Sequence, residues 1–224
     1  MLRSLPRWLG VLAICSAPGL AATICGTDTL ANYVALGSGG CQIGGLTVTG
    51  FSYTFVSGTV SIPDTSITVT PSVVGDTLGL TFSSSLFNLS GSDSAKYMLD
   101  YTWDPGDIRS LEDVLNSDPS VSPGLAKITT VDCEDAAFSP TCLTSTDTLV
   151  VLDNGVLPIL TDSVSFLPHV GTLGIQNAIE LDGSGGTAEF ASFENEITVP
   201  EPSAVAPCLL LALLVFRRLR LQRV

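Results

Sequence analysis

Histidine occurs once in these 224 residues, as His169. A histidine-dependent triad or a His-rich metal cage would rest on that single imidazole. No Cys-x-x-Cys pair is present, which removes the usual zinc-ribbon spacing. A Gly-x-Ser-x-Gly elbow is missing, as is a phosphate-cradling glycine loop with its lysine. Ser38-Gly39-Gly40 and Ser184-Gly185-Gly186 lack the lysine and the following helix, and read as turns. Basic side chains are scarce between Asp28 and Glu201, where Lys96, Arg109 and Lys127 oppose 22 acidic residues and leave a net charge of −19. So acidic a stretch repels nucleic acid and anionic lipid surfaces. With no catalytic template matched, the expectation is a non-enzymatic chain with no cofactor and no metal.

What the sequence does have is β-forming material. It is 45% hydrophobic and only 14% charged, rich in Val, Thr, Ser and Gly and poor in long helix formers. Residues 45–56 alternate, with Gly50 shifting the phase as a bulge would. Further strands are predicted at 60–62, 66–70, 78–82, 95–103, 125–131, 164–167, 173–181 and 187–193, separated by Pro, Gly and Asp turns. Residues 148–160, centred on Asp153-Asn154-Gly155, read as the clearest hairpin. Ile108 to Leu115 is ambiguous: Ile108, Leu111, Val114 and Leu115 fit one helical face, which admits one short helix there. Together these predict an all-β domain over residues 23–198, a two-sheet β-sandwich of jelly-roll type.

Six cysteines occur. Cys15 and Cys208 lie in the two apolar ends, which leaves Cys25, Cys41, Cys133 and Cys142 in the central domain. An even number there points to two disulfides in an oxidising compartment. Of three pairings, the sequence-local one is preferred: Cys25–Cys41 and Cys133–Cys142.

The ends are distinctive. Arg3 and Arg7 precede a short apolar stretch from Trp8 to Cys15, then Pro18-Gly19 and the small pair Ala21-Ala22. Residues 1–22 thus read as a signal peptide. Cys15 as a lipidation site is disfavoured by the bulky Ile14 before it. At the other end, Val199-Pro200-Glu201-Pro202-Ser203 is followed by a 13-residue apolar run, Ala204 to Phe216, and then Arg217, Arg218 and Arg220. Such a run is shorter than the about 20 residues that span a bilayer comfortably, though flanking residues extend it to a transmembrane helix at about 203–219. The arginines stop transfer and stay cytoplasmic, leaving the acidic domain outside.

The order of these features over residues 199–224 resembles the PEP-CTERM sorting signal of Gram-negative bacteria, with Pro200, Glu201 and Pro202 as the motif. Pro207 and Cys208 inside the run depart mildly from that pattern. The resemblance implies Sec-dependent export and anchoring in the inner membrane. Processing by an exosortase, a membrane protease with a cysteine nucleophile, would follow and deliver the protein to the cell envelope or outside. It also implies a setting of exopolysaccharide synthesis. It covers only the tail and says nothing of residues 23–198.

Within the domain, Asp100, Asp104 and Asp107 crowd near Tyr101 and Trp103. Paired carboxylates could serve glycoside chemistry, and Trp103, Tyr101 or Tyr53 could stack on a sugar, but an acidic turn after a core strand is the plainer reading. Asp182 to Gly186 with Glu189 lacks the ligand ladder of a calcium loop; any Ca²⁺ binding is expected to be weak. Three roles follow: an envelope or matrix protein, which is preferred; a carbohydrate-binding module associated with exopolysaccharide; or a weak glycoside hydrolase using Asp100.

Overall fold

The computed structural model describes residues 23–117, 124–138 and 142–200. The signal peptide, Glu201 and Pro202 of the sorting motif, the apolar run and Arg217, Arg218 and Arg220 lie outside the described residues. Among those described, no helix is long and apolar enough to cross a membrane.

In chain order the strands are β1 (Asp28–Thr29), β2 (Cys41–Ile43), β3 (Leu46–Gly58), β4 (Thr68–Val74), β5 (Thr77–Ser83), β6 (Asn88–Ser90) and β7 (Ser94–Asp104). They continue with β8 (Ile108–Asn116), β9 (Leu125–Glu134), β10 (Thr148–Asp153), β11 (Thr161–Val170), β12 (Leu173–Asp182), β13 (Thr187–Glu189) and β14 (Ser192–Thr198). One short helix, α1 (Leu30–Ala35), starts at Thr29, whose Oγ1 accepts the Asn32 N–H at 3.3 Å.

Two six-stranded sheets form the predicted sandwich. The first runs β1-β4-β5-β14-β8-β11 and the second β10-β9-β12-β7-β3-β2, with a small β6–β13 pair beside them. The strand ladders are antiparallel, so period-2 patterning sends apolar side chains inward and polar ones out. On β7 the inward row is Ala95, Tyr97, Leu99, Tyr101 and Trp103, all buried. Rings line both inner faces: Phe82 stacks on Phe193 within the first sheet with centroids 4.9 Å apart, Phe51 on Tyr101 within the second at 5.2 Å, and Phe82 meets Tyr101 across the sandwich at 5.9 Å. The bulge expected at Gly50 is present. The β3–β7 register shifts between Thr49 and Ser52, and Gly50 takes φ +68°, which costs glycine little.

Two local expectations are corrected. Residues 108–116 form strand β8, not a helix. β14 and β11 flank it on both sides and use its backbone hydrogen bonds, while Leu111, Asp113 and Leu115 face inward. Asp113 on that inner row breaks the apolar alternation, and this hid the strand. Residues 148–160 do not make a two-stranded hairpin either. β10 belongs to the second sheet and β11 to the first, so the connection crosses between sheets. All that remains of the hairpin is one bridge, Leu152 with Ile159, bonded both ways at 2.7 and 2.8 Å.

Cys25 is bonded to Cys41, and Cys133 to Cys142. The first bridge ties the entry of the domain to β2; the second closes a loop with a sequence separation of 9 after β9. Each should contribute about 2–4 kcal/mol, the shorter loop less. Free-thiol titration of the denatured, unreduced protein should therefore find none of these four cysteines. Recovery of four reactive thiols from periplasmic material would contradict it.

Candidate functional site

Trp103 and Tyr101, the proposed sugar-stacking pair, are 0% and 1% exposed. They stand two apart on β7 and so share its inner face, where the first sheet covers them. Neither presents a ring to a ligand. Tyr53 is half-buried and stacked on Tyr97 at 5.0 Å, with its hydroxyl donating to the Ile62 carbonyl at 3.2 Å. Among the described residues, Phe55 is the one large aromatic side chain that is well exposed.

The carboxylates near Trp103 have separate engagements. Asp100 points to the outer face of β7 and accepts from Ser52 Oγ at 2.9 Å. Asp104 accepts from Thr172 Oγ1 beyond the strand end, and Asp107 pairs with His169 Nδ1 at 2.8 Å. His169 thus meets a carboxylate, with no nucleophile bonded to it. The Asp182 turn is tied to its own backbone: Asp182 Oδ1 accepts the Ser184 N–H at 2.9 Å. A cleft of about 440 Å³ is lined by Ser66, Thr68, Ser83, Ser84, Ser85 and Glu189 among others, with buried Phe87 and Phe190 beneath.

Sequence reasoning missed a polar seam through the core. Tyr101 Oη donates to Asn195 Oδ1 at 2.7 Å, and Asn177 Nδ2 to the same oxygen at 3.0 Å. Asn195 Nδ2 donates to Asp113 Oδ1 at 2.6 Å, and Thr130 Oγ1 to Asn177 Oδ1 at 2.8 Å. All five residues are buried, and they come from β7, β14, β12, β8 and β9. Burial pushes the Asp113 carboxyl up to about 7, with Asp162 and Asp132 adding to the rise against bonds from Thr130 and Asn195 that oppose it. Burial also holds the Tyr101 hydroxyl well above its usual range.

The seam continues along the inner row of β9, from Thr130 to Asp132 and Glu134, to the end of the sandwich. There Asp132, Glu134 and Asp147 come together. Asp132 is fully buried, Glu134 half-buried and Asp147 exposed. Asp132 Oδ1 accepts the Asp147 N–H at 2.7 Å. Burial, with the charges of Asp147 and Glu134, pushes the Asp132 carboxyl up to about 6 against that bond. Among the described residues this is the one group of three or more acidic, His or Cys side chains spaced to share an ion. A sequence signal existed in the Asp-Cys-Glu run at 132–134, because residues two apart on a strand share a face. Asp147 joins them only through the β9–β10 register, which pairs Val131 with Thr148.

No protein-family profile matches the sequence, and no curated protein does. Among solved structures, the chain is similar to the carbohydrate-binding module TmCBM61 in complex with β-1,4-galactotriose. That match has 11% identity and a TM-score of 0.32, and covers 66% of this chain and 84% of that one. It is also similar to a structure of carbohydrate-binding modules from the β-sandwich superfamily, at 14% identity and a TM-score of 0.26, covering 80% of this chain and 62% of that one. So distant a likeness carries no ligand across to this chain.

Proposed function

We propose that the chain is an exported, non-catalytic protein of the cell envelope or extracellular matrix, delivered by its N-terminal signal and sorted through its C-terminal tail. The observation that carries the reading is the pair of disulfides, Cys25–Cys41 and Cys133–Cys142, within one domain. Structural disulfides form and persist outside the reducing cytoplasm. The burial of Trp103 and Tyr101 supports a structural role over sugar stacking by that pair, since those rings cannot meet a glycan. Sec machinery, an exosortase and the inner membrane are the partners this reading requires.

The tail's parts have separable jobs. The apolar run from Ala204 to Phe216 inserts, each Leu, Val or Phe at the helix centre favouring the membrane by roughly 0.3–0.6 kcal/mol. Arg217, Arg218 and Arg220 stop transfer. Neither job needs Pro200, Glu201 or Pro202, so a plain anchor would tolerate changes there. A processing protease would not, because the prolines fix an extended backbone it can grip. Glu201→Ala combined with Pro202→Ala, expressed in the native host, should leave the tail attached and the protein in the membrane, while the unaltered chain loses its tail. Mass analysis decides: recovery of the unaltered protein with Val224 still attached, distributed like the variant, would reduce the tail to an anchor.

A further inference from the structure

We infer that Asp132, Glu134 and Asp147 form a binding site for a hard divalent cation of the calcium class, at the end of the sandwich beside the Cys133–Cys142 loop. One carboxylate oxygen from each residue lies within 4.8 Å of the other two. A single ion holding each oxygen at about 2.3–2.6 Å spans that separation. The second, independent observation is the state of Asp132. Its side chain is 0% exposed, its Oδ1 takes the Asp147 N–H, and its Oδ2 is buried without a partner. A buried carboxylate oxygen left bare is unfavourable until something positive meets it. No protein cation does so: among the described residues the one ion pair is His169 with Asp107.

The donor set fixes the class of ion. Three carboxylates and no imidazole offer only hard oxygen, and both nearby cysteines are tied up in their disulfide. Mg²⁺ demands a tight octahedron at about 2.0–2.1 Å and keeps much of its water, whereas Ca²⁺ accepts wider, irregular oxygen sets. Glu134 and Asp147 reach the site from the solvent side, so water completes the shell and the affinity is modest, on the order of 10⁻⁴–10⁻³ M as in extracellular modules. The bound ion would clamp the end of β9 to the segment that leads into β10, across the loop the disulfide closes.

The test is thermal unfolding of the purified full chain in chelator-treated buffer at constant ionic strength. Titration with CaCl₂ to about 10 mM should raise Tm by roughly 3–10 °C. MgCl₂ at the same concentration should raise it less. Asp132→Asn should abolish the response. Because that buried change could perturb folding, Asp147→Asn at an exposed position provides the second variant and should weaken the apparent Ca²⁺ affinity at least about tenfold. Glu112→Gln, an exposed change of equal charge on β8, should respond like the unaltered chain. An absent Ca²⁺ response, an equal Mg²⁺ response, an Asp147→Asn variant that keeps its affinity, or a Glu112→Gln variant that loses it would each overturn the site.

Discussion

Replacing Trp103 by alanine should destabilise the domain by about 3–5 kcal/mol, the range for truncating a large buried ring. Trp103 is 0% exposed and sits between Val48 of β3 and Leu173 of β12 in the register of the second sheet. Its loss leaves a cavity that two hydrogen-bonded neighbours cannot close by collapsing. A tryptophan displayed for sugar stacking would behave differently, since exposed substitutions usually stay within about 0.5 kcal/mol. Urea unfolding monitored by circular dichroism separates the outcomes: a loss below about 1 kcal/mol would return Trp103 to the surface.

The second large effect is in pH. Asp113 has a native pKa of about 7 against 3.8 for the free side chain, so the folded state holds this proton more tightly than the unfolded state does. Its stabilising contribution is therefore complete below about pH 4, declines as pH rises and is gone above about pH 7. The difference is on the order of 4 kcal/mol for a carboxyl 1% exposed. The groups that face it are Asn195 from β14, Thr130 and Asp132 from β9, Asp162 from β11 and Tyr101 from β7. None is a cation, so the ionised form finds no compensation. Asp132, raised to about 6, acts in the same direction. Unfolding free energy measured in metal-free buffer should fall between pH 4 and 8. Asp113→Asn keeps the shape and an acceptor for Asn195 without the charge, so it should stabilise the protein at pH 8, leave it nearly unchanged at pH 4, and flatten the profile. Equal stability of variant and parent at pH 8 would contradict the buried-carboxyl account.

Those two residues also show what the sequence revealed. The row Ala95, Tyr97, Leu99, Tyr101, Trp103 is uninterrupted at period 2, and it places Trp103 inside as surely as it identifies a strand. The aromatic pair drew a sugar-stacking reading because composition near a carboxylate says nothing about facing; the row does. Asp113, Asn177 and Asn195 were illegible for the opposite reason. Polar residues at inner positions look outward-facing until partners from other strands are known, and these partners lie 18 to 94 positions away. The acidic group at Asp132 was half legible, since its Asp-x-Glu spacing is local and the arrival of Asp147 is not. The crossing at 153–160 escaped because Asp-Asn-Gly reports a turn, and a turn does not say which sheet receives the next strand.

β14 has a mechanical consequence. It is the last described strand, and it lies inside the first sheet with β5 on one side and β8 on the other. A tension applied at Pro200, from whatever holds the residues beyond it, enters along the axis of this interior strand. The register bonds it to Thr77–Ser83 on one flank and Ser110–Asn116 on the other, and these hydrogen bonds run across the strand. The pull therefore shears both ladders together, where an edge strand would peel one bond at a time. A load entering at Pro200 would meet two ladders at once.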